Sequence, residues 1–170
     1  MTVNEAIRNR YSCRSYMDKP VEREKLDILL EAARLAPSAK NTQDWRFVVV
    51  TDKQTRYKLA QTTNKPESFK NAGVIIAGCS NSKDVMTCGQ AIAQIDVSIA
   101  LEHICLQATE LELATCWIGS FKADQVRAIL GIPEDIEIIE LLAVGYPADS
   151  WKKPNREKIE KIVCYEKWKF

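Results

Sequence analysis

Hydrophobic and polar positions follow two periods along this chain, one typical of helices and one typical of buried strands. Leu26, Leu29, Leu30 and Ala33 recur every three or four residues, which predicts an amphipathic helix over residues 22–35. The apolar run from Phe47 to Val50 predicts a strand that is covered on both faces. The whole chain then divides into predicted helices over residues 2–8, 22–35, 53–61, 89–113 and 123–130 and predicted strands over 46–51, 73–78, 114–119 and 137–145.

Local signals mark the ends of several of these elements. Thr2 and Glu5 have the spacing of a capping box. Pro37 marks the end of the helix over residues 22–35, and Gly131 marks the end of the helix over residues 123–130. The helix over 89–113 is apolar on most sides, so we expect it to be central. About four strands interleaved with five or six helices indicate an α+β or α/β fold, in a single domain over residues 1–170.

Composition excludes several classes of protein. The 170 residues are 46% hydrophobic and 28% charged, with a formal net charge of +1, so we expect no extended surface for nucleic acid or acidic membranes. No apolar run is long enough to span a bilayer, and the first residues lack the pattern of a secretory signal. We therefore expect a cytoplasmic protein without a membrane or nucleic-acid partner.

The cysteine pattern does not indicate a metal site. The six cysteines contain no C-x-x-C pair, and His103 is the single histidine, so few zinc ligands are available. Most of the cysteines fall within apolar helix or strand patterns, for which buried, reduced thiols are the expectation.

Arg10, Ser12 and Arg14 are candidate anion ligands. Alternate residues of an extended segment project to one side, and two guanidinium groups with a hydroxyl suit a phosphate. The alternative interpretation is a solvated basic loop. A second basic stretch, residues 152–156, ends in Arg156 and is open to the same alternative.

Two further segments have the character of ligand edges. Ser38, Asn41 and Gln43 lie in an irregular loop between a helix and a buried strand, although ordinary turns also favour such residues. Gly119 follows the apolar segment Cys116-Trp117-Ile118 and would let a flat ligand approach the backbone, unless it simply begins a turn. Trp45, at the end of the loop, is expected to belong to the core.

In their order along the chain, these motifs resemble the nitroreductase family of FMN-dependent oxidoreductases in its short form. The resemblance rests on Arg10-x-Ser12-x-Arg14, Ala36-Pro37-Ser38-x-x-Asn41-x-Gln43-x-Trp45, the long helix with Asp96, Cys116-Trp117-Ile118-Gly119, and Gly145-Tyr146-Pro147 followed by Arg156. It spans nearly the whole chain. It implies a nitroreductase-like α+β fold, with a mostly antiparallel sheet of four or five strands surrounded by helices, in an intertwined homodimer.

The resemblance also implies a cofactor and a reaction. FMN would lie at the dimer interface, accept hydride from NADH or NADPH at N5, and pass it in a ping-pong cycle to a small conjugated oxidant such as a nitroaromatic or a quinone. Arg10, Ser12 and Arg156 would hold the FMN phosphate, and Arg14 would stabilise the reduced flavin; the second chain would contribute Ser38 and Asn41. The full implied cofactor-binding set is Arg10, Tyr11, Ser12, Arg14, Pro37, Ser38, Ala39, Asn41, Gln43, Asn64, Trp117, Ile118, Gly119 and Arg156. No catalytic side chain and no metal are implied.

Several alternatives stay open. The family loop often has proline where this chain has Asp44, which leaves the oxidant undefined. A non-catalytic FMN carrier or sensor, a reductive dehalogenase, a flavin-fragmenting enzyme and a flavin-free interaction domain are rival interpretations. The tail carries Tyr165, Trp168 and Phe170, which we expect to pack across a partner chain, the alternative being that they fold back on their own.

Overall fold

The computed structural model describes residues 1–150 and 155–170, and these contain six α-helices and four β-strands. The helices are α1 (Val3–Asn9), α2 (Arg23–Arg34), α3 (Lys53–Gln61), α4 (Pro66–Phe69), α5 (Ile92–Glu110) and α6 (Ala123–Leu130). The strands are β1 (Trp45–Val50), β2 (Val74–Ser80), β3 (Ala114–Ile118) and β4 (Glu137–Gly145). Short 3₁₀ turns occupy Ala39–Asn41 and Ile159–Lys161.

The four strands form one sheet in the order β1-β2-β4-β3, and every neighbouring pair is antiparallel. This decides between the two predicted architectures, because an α/β fold would need parallel strands. The expected α+β fold with an antiparallel sheet is confirmed. All seven residues of β2 are buried, with alternate side chains entering a separate hydrophobic cluster on each face of the sheet.

The local signals in the sequence explain most helix ends. The Thr2 side chain accepts a hydrogen bond from the Glu5 N–H, and the Glu5 carboxylate accepts one from the Thr2 N–H, which confirms the capping box. Gly131 ends α6 with a φ of 65°, a left-handed conformation that glycine adopts without strain. Trp45 is buried, as expected for a core residue.

The long helix is shorter than predicted. Its expected start at residue 89 is wrong because residues 86–90 form a turn, in which Gly89 has a φ of 87° and donates to the Met86 carbonyl at 2.7 Å. Its expected end at residue 113 is wrong because Glu112 is left-handed, with a φ of 61°. Its central position is confirmed, since buried residues occupy most sides of α5.

Two smaller features concern chemistry. All six cysteines are free, and four of them are buried: Cys13, Cys79, Cys105 and Cys116. His103 is half-buried, with its Nδ1 3.1 Å from the Ala32 carbonyl oxygen, as a structural histidine would be.

Across residues 1–150 and 155–170, no helix combines the length and the apolar character that crossing a membrane requires.

Candidate functional site

A pocket of about 310 Å³ lies where β3 leaves the sheet. This volume is at the lower end of the ~300–1,000 Å³ range of small-ligand pockets. Its lining residues are Arg14, Thr63, Asn64, Lys65, Phe69, Cys116, Trp117, Ile118, Gly119 and Ser120. A second pocket of similar volume, between α1, α2 and α5, is walled mainly by apolar side chains and has no arginine or lysine in its lining. Of these two pockets, the first is therefore the better candidate for an anionic ligand.

The segment that carries the N-terminal arginines is extended along the outer edge of β3. Cys13 N–H donates to the Thr115 carbonyl at 2.9 Å, and Ser12 forms a parallel bridge with Thr115. Arg14 enters the pocket wall and donates to the Ser12 carbonyl at 3.2 Å. Arg10 lies on the side facing α5, with its Nε 3.7 Å from a Glu102 carboxylate oxygen. The extended conformation expected for this segment is therefore observed.

Hydrogen bonds connect residues 10–15 to residues 148–149, which follow β4. The Tyr11 hydroxyl donates to the Asp149 carboxylate at 3.1 Å, and the Ala148 N–H donates to the Ser15 carbonyl at 2.8 Å. Cys13, which is fully buried, donates from Sγ to the Ser15 carbonyl at 3.0 Å. Burial, together with the nearby Asp149 charge, raises the pKa of Cys13 to about 11, so this thiol stays protonated.

The turn after α3 supplies the opposite wall of the pocket. Asn64 N–H donates to the Ser120 carbonyl at 3.3 Å, and the Asn64 side-chain amide donates to the Ser120 hydroxyl. The Lys122 N–H donates to the Thr62 carbonyl at 3.0 Å. These contacts hold Asn64 and Lys65 beside the residues that follow β3. The structure therefore brings Asn64 together with Arg14, Trp117, Ile118 and Gly119 in one pocket lining.

Gly119 has a constraint that the sequence does not reveal. A Cβ at this position would lie 3.3 Å from Oε1 and 3.4 Å from Oε2 of Glu140, so the missing side chain leaves room for that carboxyl group. Glu140 Oε1 is buried and has no hydrogen-bond partner among the described residues. Burial raises the pKa of Glu140, and the Ile118 backbone N–H acts in the opposite direction.

The electrostatic character of the pocket can be read from the Cys116 thiol in its wall. Burial raises the pKa of Cys116, whereas the charges of Arg14, Arg10 and Lys65 lower it and that of Glu140 raises it. Three cations and one half-buried carboxyl group therefore act on the same small region. A ligand with anionic or electron-rich parts suits this arrangement.

The loop before β1 lies elsewhere in the chain. It approaches the sheet at β1, three strands from β3, which corresponds to about 14 Å across the sheet. Ser38 Oγ accepts from the Gln43 N–H at 3.0 Å, and the buried Asp96 of α5 accepts from the Ala39 N–H at 3.0 Å. Within one chain, the predicted residues Pro37, Ser38, Ala39, Asn41 and Gln43 are not part of the pocket lining.

This loop has an unusual backbone. Lys40, Asn41 and Gln43 have φ values of 53°, 58° and 54°, all in the left-handed region that residues with a Cβ rarely adopt. A conformation of this kind persists only where the surroundings impose it. The hydrogen bonds that Ser38 Oγ and the Asp96 carboxylate accept supply that restraint. Asn41 and Gln43 are exposed to solvent in this conformation.

Arg156 is exposed, and its guanidinium donates to the neighbouring Asn155 carbonyl at 3.1 Å. In the part of the chain that the structure describes, no hydrogen bond or ion pair joins Arg156 to Arg10 or Ser12. The lysines of the basic stretch, Lys152 and Lys153, lie outside the described residues. The three-arginine phosphate site stays a prediction.

Sequence reasoning missed two charged residues of this region. Lys65 lines the pocket directly, and its position next to Asn64 was the available signal. Glu140 is the one acidic residue in the apolar run from Ile138 to Val144, and a charge in such a run indicates a special environment. Thr63 and Ser120 are further lining residues without a distinctive sequence pattern.

Comparison with known proteins places this geometry in a family. The Nitroreductase family model matches residues 7–66 and 61–146. A nitroreductase family protein of Clostridium difficile 630 has a solved structure that superposes with a TM-score of 0.89, at 35% identity, covering 99% of this chain and 100% of that one.

Two further relatives agree with this placement. A relative from Archaeoglobus fulgidus, named as an NADH dehydrogenase/NAD(P)H nitroreductase, is 34% identical over 84% of this chain and 84% of its own length. An FMN-dependent nitroreductase from Clostridium difficile R20291 superposes with a TM-score of 0.84 at 30% identity, covering 97% of this chain and 99% of its own. With more than half of its residues matched by the family model, the chain belongs to the nitroreductase family.

Proposed function

We propose that this protein is an NAD(P)H-dependent FMN oxidoreductase that reduces a small conjugated oxidant such as a nitroaromatic or a quinone. The observation that carries the proposal is the pocket beside β3, in which Arg14 and Lys65 flank the backbone of Ile118 and Gly119. Relatives whose names include FMN-dependent nitroreductase and NAD(P)H nitroreductase support the same cofactor and the same electron donor. We take residues 1–170 to act as one domain.

The residues present fit FMN. A flavin needs cations for its phosphate and its electron-rich pyrimidine ring, and Arg10, Arg14 and Lys65 are close enough to act on one thiol in the pocket wall. It also needs backbone that a flat ring can approach, and Gly119, which lines the pocket, has no side chain of its own. Trp117 and Ile118 provide apolar surface beside it, and Asn64 provides amide hydrogen-bonding groups.

The protein's part in the reaction is to bind and to orient. FMN held in this pocket would supply the hydride-transfer chemistry between NAD(P)H and the oxidant, so no protein nucleophile is required. Arg14 and Lys65 stabilise the negative charge that accompanies reduction, in the manner of an oxyanion hole. The buried wall formed by Cys116 and Ile118 excludes water from one side of the pocket.

We further propose a homodimer in which each cofactor site takes its pocket from one protomer and its loop from the other. The pocket lies at β3 and the restrained loop at β1, so one chain holds two separate halves of a site. A two-fold axis would bring each half to its complement. The loop half comprises Pro37, Ser38, Ala39, Asn41 and Gln43.

Exposed apolar surface supports association of two chains. Large apolar side chains on and near α1 are exposed, Val3 by 73% and Ile7 by 57%, beyond what a free monomer surface favours. The tail is exposed as well: Tyr165 by 75%, Trp168 by 83% and Phe170 by 58%. Within a single chain it does not fold back on its own core. We propose that it packs across the partner and brings Arg156 towards the phosphate-binding residues.

The visible spectrum of the purified protein tests the function. We expect the absorption bands of bound oxidised flavin, their bleaching when NAD(P)H is added under nitrogen, and their return when a quinone is supplied. Bound FMN that NAD(P)H never bleaches would favour a non-catalytic carrier. A colourless protein that cannot be reconstituted with FMN would favour a flavin-free interaction domain and would contradict the proposal.

Truncation before the aromatic tail tests the dimer. A chain that ends at Val163 lacks Tyr165, Trp168 and Phe170, and we expect it to elute from gel filtration as a weaker dimer or as a monomer. The matched control is the full-length chain with Lys167→Ala, which changes the same exposed segment without removing apolar area. A truncated protein that stays fully dimeric at the same concentration would contradict the exchange of tails.

A further inference from the structure

Glu140 has no role in the site as described so far, although it lies against it. It belongs to β4, between β2 and β3, and pairs with Gly78 across the sheet. A Cβ at Gly78 would lie 2.8 Å from a Val97 methyl group of α5 and 3.1 Å from a Leu101 methyl group, so side chains are tightly packed over this part of the sheet. Glu140 therefore places a carboxyl group in a region that is otherwise apolar.

The carboxyl group of Glu140 lacks a counterion. Within residues 1–150 and 155–170 no lysine or arginine forms an ion pair with it, and its buried Oε1 has no hydrogen-bond partner there. The side chain as a whole is half-buried, and a carboxylate that is partly desolvated without a cation is disfavoured relative to its protonated form. Burial accordingly raises the pKa of Glu140.

Titratable groups on the strands and the helix next to Glu140 have hydrogen-bond partners or a pKa raised by burial. On the same strand, Glu137 accepts a hydrogen bond from Gln94 of α5 at 2.9 Å, and on α5 the Asp96 carboxylate accepts from the Ala39 N–H. On β2, burial raises the pKa of Cys79 to about 11. On β3, burial raises the pKa of Cys116 as well. Glu140 is thus the nearby group best suited to gain and lose a proton.

Two observations connect Glu140 to the pocket. Gly119 lines the pocket, and a Cβ at this position would be in tight contact with both Glu140 carboxyl oxygens, at 3.3 and 3.4 Å. The charge of Glu140 also reaches the Cys116 thiol, where it opposes the charges of Arg14, Arg10 and Lys65. A proton gained at Glu140 therefore makes the pocket more favourable for an added negative charge.

We propose that Glu140 is a redox-linked proton site, which takes up one proton from solvent when the cofactor in the adjoining pocket is reduced and releases it on reoxidation. This rests on the proposed function. Hydride transfer from NAD(P)H would add two electrons and one proton to bound FMN and convert NAD(P)H to NAD(P)⁺. At the same time Glu140 would change from carboxylate to carboxylic acid by binding H⁺ from solvent. When the oxidant takes the hydride, Glu140 returns its proton to solvent, so atoms and charges balance.

Linkage makes this proposal quantitative. If reduction raises the proton affinity of Glu140, protonation must favour reduction by the same factor. One additional proton for two electrons steepens the dependence of the midpoint potential on pH by about 30 mV per pH unit, between the pKa values of Glu140 in the oxidised and reduced protein. Glu140 is a positioning residue for charge, because it lies behind Gly119 and is not among the residues that line the pocket.

The test compares the wild type with Glu140→Gln and with the control Glu137→Gln, which changes an acid on the same strand that has a hydrogen-bond partner. We expect the steeper segment in the potential–pH curve of the wild type and of E137Q, and its loss in E140Q. E140Q should also have the higher potential on the alkaline side, where the wild type carries the carboxylate. Identical curves for wild type and E140Q would overturn the proposal.

A second measurement does not depend on the cofactor. Infrared spectra of the apoprotein, titrated with acid, should contain the absorption of a buried protonated carboxyl group at a pH where exposed carboxyl groups are ionised. E140Q should lose that band, and E137Q should keep it. Absence of the band from the wild type would overturn the proposal even if FMN is reduced normally. A band with no FMN binding would overturn the redox linkage together with the proposed function.

Discussion

Replacing Asp96 with alanine should loosen the loop before β1. Asp96 is buried, with 4% of its surface exposed, and its carboxylate accepts the Ala39 N–H at 3.0 Å. This bond helps to hold three left-handed residues, Lys40, Asn41 and Gln43, in a backbone conformation that costs on the order of 1 kcal/mol or more each. Once the acceptor is removed, the hydrogen bond from the Gln43 N–H to Ser38 Oγ remains as a side-chain restraint, but the loop is no longer tied to α5 by this bond.

The size of the effect follows from the type of bond. A hydrogen bond to a charged group contributes about 1.5–3 kcal/mol, so D96A should lower the free energy of unfolding by about that amount. For a chain of this length, such a loss corresponds to roughly 3–12 °C in Tm. Since the loop forms half of the proposed site, affinity for FMN should fall as well, by about tenfold for each 1.4 kcal/mol of loop order that is lost.

The assay is chemical denaturation of the apoprotein at one fixed concentration, followed by titration of each variant with FMN. D96N keeps an acceptor oxygen and should lie between D96A and the wild type. The exposed Asp84→Ala is the matched control and should leave both quantities unchanged. D96A with the stability and FMN affinity of D84A would refute the idea that α5 restrains the loop.

Three further predictions concern charge, pH and thiols. Arg10→Ala should weaken FMN binding in a fluorescence titration by roughly 10- to 150-fold, as expected for loss of a charged hydrogen bond. The exposed control Arg23→Ala should leave FMN affinity unchanged. Equal FMN affinities of the two variants would refute the phosphate-binding role of Arg10. The Tyr146 hydroxyl, which donates to Glu22 at 2.6 Å, lowers the pKa of that carboxyl to about 2. Y146F should therefore be less stable than the wild type near neutral pH, and the difference should shrink as the pH falls from about 4.5 towards 2, as denaturation curves at several pH values would reveal. In the native protein, a thiol reagent should modify exposed Cys88 before any buried cysteine, and mass spectrometry that finds a buried site modified first would contradict the structure.

Most of the fold could be predicted because its elements carry strong local patterns. The helices at 53–61 and 123–130 and the strand at 137–145 were predicted with the observed bounds. The start of α5 could not be placed, since the apolar pattern continues through a turn that depends on a left-handed Gly89. The four-residue α4 was missed because Pro66 was its main local signal.

The candidate site was less predictable, because its chemistry depends on contacts distant in sequence. The motifs led to Arg14 and Gly119 and the family resemblance to Asn64, and the structure brings these three together in one pocket. They could not lead to Glu140, whose importance comes from its packing against Gly119. The separation of the loop at β1 from the pocket at β3 is likewise a property of strand order, which local patterns do not encode.

Mixing two defective protomers tests most directly whether the site is shared between chains. Arg14→Ala damages the pocket half and Asn41→Ala the loop half. The two variants would be mixed in equal amounts, unfolded together and refolded. The mixture would then be assayed at an FMN concentration that is too low for either variant alone to bind FMN. If each site combines the pocket of one chain with the loop of the other, random pairing restores about a quarter of the sites, measured as bound FMN that NAD(P)H bleaches. Recovery no greater than that of the two parents refolded separately would contradict a site built from two copies.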